Sequence, residues 1–180
     1  TVQLLISTSG ERIRQVDKIL LPPEDGVSYI ISHQLIDGNV YEIPEKLLRD
    51  DVQVFQIEGA GLTKNRNNCL LHANADIVMI LDDDVVIKSD FIKAVRSFFE
   101  DESIDVACSK ITTFENEPEY KKYSESPFIL NDLIHFKAVS SVEISLRLKS
   151  VKDNSITFDE RFGLGTKLKS GEEFVFLVEC

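Results

Sequence analysis

A chain of 180 residues with 43% hydrophobic content can bury a sizeable core and fits one domain. Its formal net charge of -11 argues against a nucleic-acid-binding surface, which begins with clustered Lys and Arg, and no such basic block occurs. The acidity suits a protein that uses a divalent cation to meet an anionic ligand.

Cys69, Cys108 and Cys180 are widely spaced and form no C-x-x-C pair, which reads as reduced thiols in a cytosolic setting. No apolar run approaches the ~20 residues needed to span a bilayer, and no signal peptide is evident. The chain begins at Thr1 without Met, which leaves room for upstream residues.

Val2 to Ser7 reads as a buried parallel strand running into the polar loop Ser7-Thr8-Ser9-Gly10. Ile13, Val16 and Leu20 follow at helical spacing, and Pro22-Pro23 close that segment. Val27 to Ile31 is the expected second strand, Asp37-Gly38-Asn39 a turn, and Val52 to Ile57 the third strand. Gly59 and Gly61 open a helix. Ile77 to Leu81 is an almost wholly apolar strand that ends abruptly in Asp82-Asp83-Asp84. Ser89-Asp90 is the expected cap of a helix whose Phe91, Ile92, Val95, Phe98 and Phe99 form one apolar stripe.

This alternation predicts a mostly parallel sheet covered on both faces, an architecture typical of nucleotide binding. The second half reads differently. Val106 to Ile111 extends the sheet, Thr112 to Asn131 is a long surface excursion, and Val142 to Leu148 alternates as a half-exposed strand. Lys152-Asp153-Asn154 then turns the chain towards Ile156 and Phe158. No internal repeat is evident.

Three adjacent carboxylates after a buried strand repel one another unless something compensates, and a divalent cation is the natural remedy. Ligands bind at the carboxyl ends of strands in open α/β sheets, so Ser7, Thr8 and the three aspartates occupy the expected place. Oxygen ligands favour Mg2+ or Mn2+, with water and donor phosphates completing the coordination. A solvated acidic turn is the competing reading. An EF-hand loop is excluded, because it needs glycine at Ile87 and glutamate at Lys93.

The segment Val78-Met79-Ile80-Leu81-Asp82-Asp83-Asp84 resembles the strand and D-x-D motif of family 2 glycosyltransferases. Gly61-Leu62-Thr63-Lys64-Asn65-Arg66-Asn67 is similar to the G-L-S-x-A-R-N stretch that precedes that strand. Gly163 to Glu173 resembles the acceptor-side stretch in which G-E-D opens a helix. The resemblance implies an α/β GT-A fold: a Rossmann-like, mostly parallel sheet flanked by helices, with antiparallel strands on the acceptor side. Residues 1–180 would form one such domain, with about 1–110 as the nucleotide-sugar half and about 111–180 as an acceptor half, trimmed or naturally shortened at Cys180.

The resemblance also implies roles. Asp84 would coordinate the metal, Asp83 would reach the ribose, and Asp82 would support the site as a second ligand. Arg66 shares a helical face with Leu62, Cys69, Leu70 and Ala73, so it needs an anion. That anion is the nucleotide, the Asp cluster or a structural partner. Lys64 and Asn67 are weaker donor-side candidates. Glu173 takes the place of the aspartate that deprotonates the acceptor hydroxyl in an inverting reaction, with Glu172 as its substitute. Ser170-Gly171-Glu172-Glu173 also satisfies the S-x-x-E capping box, which competes with the catalytic reading. The family's Asp pair at the end of the second strand is replaced by Ser32-His33-Gln34, an uncharged trio that can still hydrogen-bond a base edge.

The expected partners are a nucleoside-diphosphate sugar, UDP-sugar favoured, and a hydroxyl acceptor, a lipid-linked glycan among them, in polysaccharide, glycoprotein or glycolipid synthesis. The expected location is cytoplasmic, with peripheral association to the inner membrane face left open. A non-catalytic sugar-nucleotide-binding domain and a nucleotidyltransferase are the alternatives. The latter generally carries a glycine-rich basic loop where Ser7 to Arg12 offers one glycine and one arginine.

Overall fold

Hydrophobic alternation along the central strands divides the core in two. In β1 (Val2–Ser9), Val2, Leu4 and Ile6 point to one side of the sheet and Leu5 to the other. The structure, a computed structural model, describes residues 1–180. β2 (Val27–Leu35), β3 (Val52–Glu58) and β4 (Ile77–Asp82) join β1 in parallel. β5 (Val106–Cys108) and β6 (Ile144–Arg147) complete the sheet antiparallel, in the order β3-β2-β1-β4-β6-β5.

One face is covered by a 3-10 segment, Gly10–Lys18, and by α2 (Phe91–Phe98). The other is covered by α1 (Leu62–His72), α4 (Leu148–Asp153) and α5 (Glu172–Glu179). The short α3 (Leu133–Phe136) packs against α5. The result is the three-layer α/β architecture expected, with a parallel block of four strands and an antiparallel edge. No helix is long and apolar enough to cross a membrane.

Several boundaries differ from the sequence reading, each for a physical reason. The first helical segment is 3-10, and Ile13, Val16 and Ile19 share one face at its three-residue period; Ile19 takes the buried place expected of Leu20. β2 runs on through Ser32, His33 and Gln34. These polar residues are buried because protein groups satisfy them: Asn68 Nδ2 donates to Ser32 Oγ at 2.8 Å, the His33 ring bonds the Gly10 carbonyl at 2.9 Å, and Gln34 Nε2 donates to the Gly61 carbonyl at 2.8 Å. The trio is therefore spent on the protein and presents no edge to a base.

Asp90 is the N-cap of α2, but its side chain makes no capping bond, and Phe98 is exposed rather than part of the stripe. β5 ends at Cys108, short of Ile111. Val142 to Leu148 is not a half-exposed strand. It opens as a 3-10 turn at Ser141–Glu143, forms β6, and enters α4 at Leu148. Glu143 and Ser145, which alternation along a half-exposed strand would turn to solvent, are buried. Glu143 accepts from Tyr123 Oη at 2.6 Å, pairs with Lys121, and closes a capping box with Ser140. One carboxylate thus pins the irregular excursion from residue 112 onward against the sheet.

Candidate active site

The carboxyl ends of β1 and β4 lie side by side, with Ser7 registered opposite Asp82. Two ion-paired groups form there. In the first, Asp83 is buried and its carboxylate accepts from Thr8 Oγ1 at 2.5 Å and from Arg12 Nε at 2.9 Å, while Arg12 Nη2 binds the other oxygen. This is a bidentate guanidinium-carboxylate pair closed by a hydroxyl. Asp84 follows with its side chain 66% exposed, touched only by Arg12 Nη2 at 3.2 Å. Burial and solvation thus give adjacent aspartates different tasks. Asp83 is locked, and Asp84 faces solvent.

The second group centres on Arg66, whose side chain is 3% exposed. α1 buries this face because Cys69, Leu70 and Ala73 pack into the core beside it. Arg66 Nη2 donates to Asp82 at 3.3 Å and to Ser141 Oγ at 2.5 Å; Nη1 donates to Glu172 at 3.4 Å and Glu173 at 3.2 Å. The guanidinium also lies 5.6 Å from the centre of the Phe158 ring, which stacks on Phe176. One cation therefore serves three carboxylates.

Electrostatics follow from that imbalance. Burial raises the Asp82 carboxyl above its ordinary range, and Arg66 only partly opposes this. Burial also raises Glu172, with the neighbouring Glu173 charge adding to it, and Glu172 Oε2 has no hydrogen-bond partner. Glu173 is more open, at 18% side-chain exposure. The competing capping box at Ser170 is absent: Gly171 is the N-cap, in a left-handed conformation, and no side chain caps α5. Glu173 is thus free of that duty and turned to Arg66.

The structure brings together Thr8, Asp82, Asp83, Asp84, Arg66, Glu172 and Glu173. Ser7 is buried beneath them, its Oγ without a partner. Two candidates stand apart. The Lys64 ammonium donates to the Glu58 carbonyl at 2.9 Å, and Asn67 bonds the backbone of Phe158. Arg12 and Ser141 are site residues that the sequence reading did not assign. Their signal is weak, since a lone arginine in the first turn after a strand and a serine in a polar stretch look like solvent-facing residues.

Divalent cations fit this rim chemically. The exposed Asp84 and the partly exposed Asp82 offer hard oxygen donors in a locally negative setting. No three His, Cys, Asp or Glu side chains are gathered into a ready cage. A divalent ion here would draw on one or two of these carboxylates and take its remaining ligands from water and substrate phosphates.

A mostly parallel α/β sheet with aspartates at the end of β4 and a carboxylate pair opening α5 defines a GT-A type domain. The family model described as Glycosyl transferase family 2 matches residues 37–165, and the chain belongs to that family. No curated protein matches the chain in sequence. Among solved structures, S. aureus TarS 1-349 in complex with UDP-GlcNAc is similar with a TM-score of 0.72 and 20% identity, over 99% of this chain and 53% of that one. TarS 1-349 in complex with UDP gives 0.71 and 20%, over 98% and 54%. The mannosyltransferase PcManGT from Pyrobaculum calidifontis, in complex with GDP-Man and Mn2+, gives 0.58 and 14%, over 91% and 49%. The chain spans about half the length of these three structures.

Proposed function

We propose that this chain transfers a sugar from a nucleoside-diphosphate donor, a UDP-sugar in first place, to a hydroxyl acceptor with inversion at the anomeric carbon. The observation that carries the reading is the meeting, around one buried Arg66, of Asp82 from the D-x-D strand with Glu172 and Glu173 from the acceptor side. Family membership and the UDP-GlcNAc bound to the structurally similar TarS support it. Residues about 1–110 carry the donor side and about 111–180 the acceptor side. The acceptor class is a growing glycan, free or carried on lipid or protein.

Asp83, held by Thr8 and Arg12, shapes the ribose side of the donor site. Asp84, with Asp82 behind it, would hold Mg2+ or Mn2+, which supplies positive charge for the departing diphosphate. Glu173 takes the acceptor's proton as its oxygen attacks the anomeric carbon from the face opposite the leaving group. Arg66 fixes Glu173 relative to Asp82, so that proton acceptor and donor site stay in register. Glu172, buried and raised, is the support rather than the base.

Thermal shift with UDP or GDP and Mn2+ tests the donor side, and release of labelled sugar tests the chemistry. At ligand a hundredfold above Kd the native state gains about 2.7 kcal/mol, which corresponds to roughly 5–10 °C in a domain of this size. Asp84→Asn should lose the Mn2+-dependent part of that shift. If neither nucleotide moves the melting point, the donor assignment is wrong; binding without any sugar release would identify a non-catalytic sugar-nucleotide-binding domain.

A further inference from the structure

Residues Phe158 to Gly171 form a strap that crosses the first turns of α1 and delivers the chain into α5, where Glu172 and Glu173 begin. The strap is fastened at three levels. Asn67 holds the Phe158 backbone, Thr63 Oγ1 donates to the Phe162 carbonyl at 2.9 Å, and the Leu62 N–H donates to the Leu164 carbonyl at 2.9 Å. The last of these satisfies the first free N–H of α1, whose N-cap Gly61 offers no side chain.

Such close apposition needs missing side chains. Gly165 has φ +86°, and a Cβ there would lie 2.9 Å from Gly61 N and 3.2 Å from Gly61 Cα. Both are backbone atoms, which cannot swing aside. Gly163 has φ +93°, and a Cβ there would lie 3.2 Å from Thr63 Cγ2 and 3.4 Å from the Glu172 carboxyl. One glycine lets the strap touch α1; the other leaves room for the buried carboxylate beside Arg66.

We infer that Gly163 and Gly165 are positioning residues, whose absent side chains let the strap lock onto α1 and thereby hold Glu172 and Glu173 against Arg66. The catalytic consequence rests on the proposed transferase reading; the positional one does not. Moving the strap outward by the width of a methyl group displaces the first turn of α5, and near-attack geometry is sensitive to shifts of about 1 Å. The sheet and the aspartates at the end of β4 do not depend on this contact.

The test compares the 180-residue chain with Gly165→Ala and Gly163→Ala, and with Gly26→Ala as control. Gly26 also has positive φ, +71°, but its nearest neighbour is the movable end of Arg96, at 3.4 Å from an added Cβ. It therefore carries the backbone strain without the strap contact. Hydrogen-deuterium exchange should show faster exchange over residues 158–176 in Gly165→Ala and Gly163→Ala, with the four parallel strands as protected as in wild type, and no such change in Gly26→Ala. Turnover of a UDP-sugar should fall at least tenfold in kcat for Gly165→Ala, with the donor KM within about threefold. Unchanged exchange over 158–176, loss of protection throughout the sheet, or a fall shared equally by Gly26→Ala overturns the inference. If wild type has no turnover while the exchange pattern holds, the transferase reading fails and the positioning role stands.

Discussion

Asn67 and Phe158 close a two-point hydrogen-bonded pair: Asn67 Nδ2 donates to the Phe158 carbonyl at 2.9 Å, and Asn67 Oδ1 accepts the Phe158 N–H at 2.8 Å. The side chain behaves like one residue of a neighbouring strand, satisfying a donor and an acceptor that would otherwise be stranded. Asn67→Ala removes both partners at once. It should cost about 1–3 kcal/mol, a drop of roughly 3–10 °C in melting temperature, with UDP affinity unchanged. Calorimetric titration beside a melting curve decides the matter, since weaker UDP binding at unchanged stability would make Asn67 a ligand contact.

How much of this was legible in the sequence depended on whether a residue's partner lay within the reach of a local pattern. β1, β3 and β4 were readable because apolar runs announce buried strands, and the aspartates at the end of β4 were readable because their repulsion demands a partner. The inward turn of Arg66 could be read from its helical face. The end of β2 was hidden because Ser32, His33 and Gln34 look like loop until Asn68, Gly10 and Gly61 are seen to satisfy them. The burial of Glu143 is hidden for the same reason, as Lys121 and Tyr123 reach it from outside its own segment. Arg12 lies 71 residues from Asp83, a pairing no spacing rule could supply.

That Arg12 pair yields a second prediction. Arg12 is half exposed, so water screens it and the pair's worth to stability is small, about 1 kcal/mol or less. Its effect should appear in ligand binding, because Asp83 loses its fixed orientation. Arg12→Ala should weaken UDP binding roughly five- to tenfold, about 1–1.4 kcal/mol, while the melting temperature falls by no more than about 4 °C. Arg12→Lys should fail to restore binding, since an ammonium cannot grip both oxygens of Asp83 as the guanidinium does. Lysine performing as well as arginine would show that charge alone matters here.

Glu172 carries a prediction about pH. Burial raises its carboxyl above the ordinary range, so between the unfolded value and the raised value the folded chain binds the proton more tightly than the unfolded chain does. Native stability from this group is therefore greatest at acidic pH and declines as pH rises through that window. Glu172→Gln removes the titrating charge and fills the same space. The variant should melt a few degrees above wild type at pH 7.5, and the gap should close as pH falls towards 4.5. A variant that melts lower at pH 7.5 would mean that Glu172 is ionised and needed as a partner for Arg66.

Glu173 differs from Glu172 by one position and by its access to solvent, and the two should separate kinetically. Both accept from Arg66 Nη1, yet Glu173 is the more open carboxylate and can meet an acceptor hydroxyl. Glu173→Gln keeps the size and the bond to Arg66 while losing the ability to take a proton. Turnover should fall by about 10²–10⁴, with UDP affinity within about threefold of wild type. Glu172→Gln should retain a clearly larger share of the rate, because altering a buried support perturbs the base without removing it. Parallel assays of both variants on one donor decide which residue acts; the opposite ranking would move the base to Glu172 and reassign Glu173 as its support.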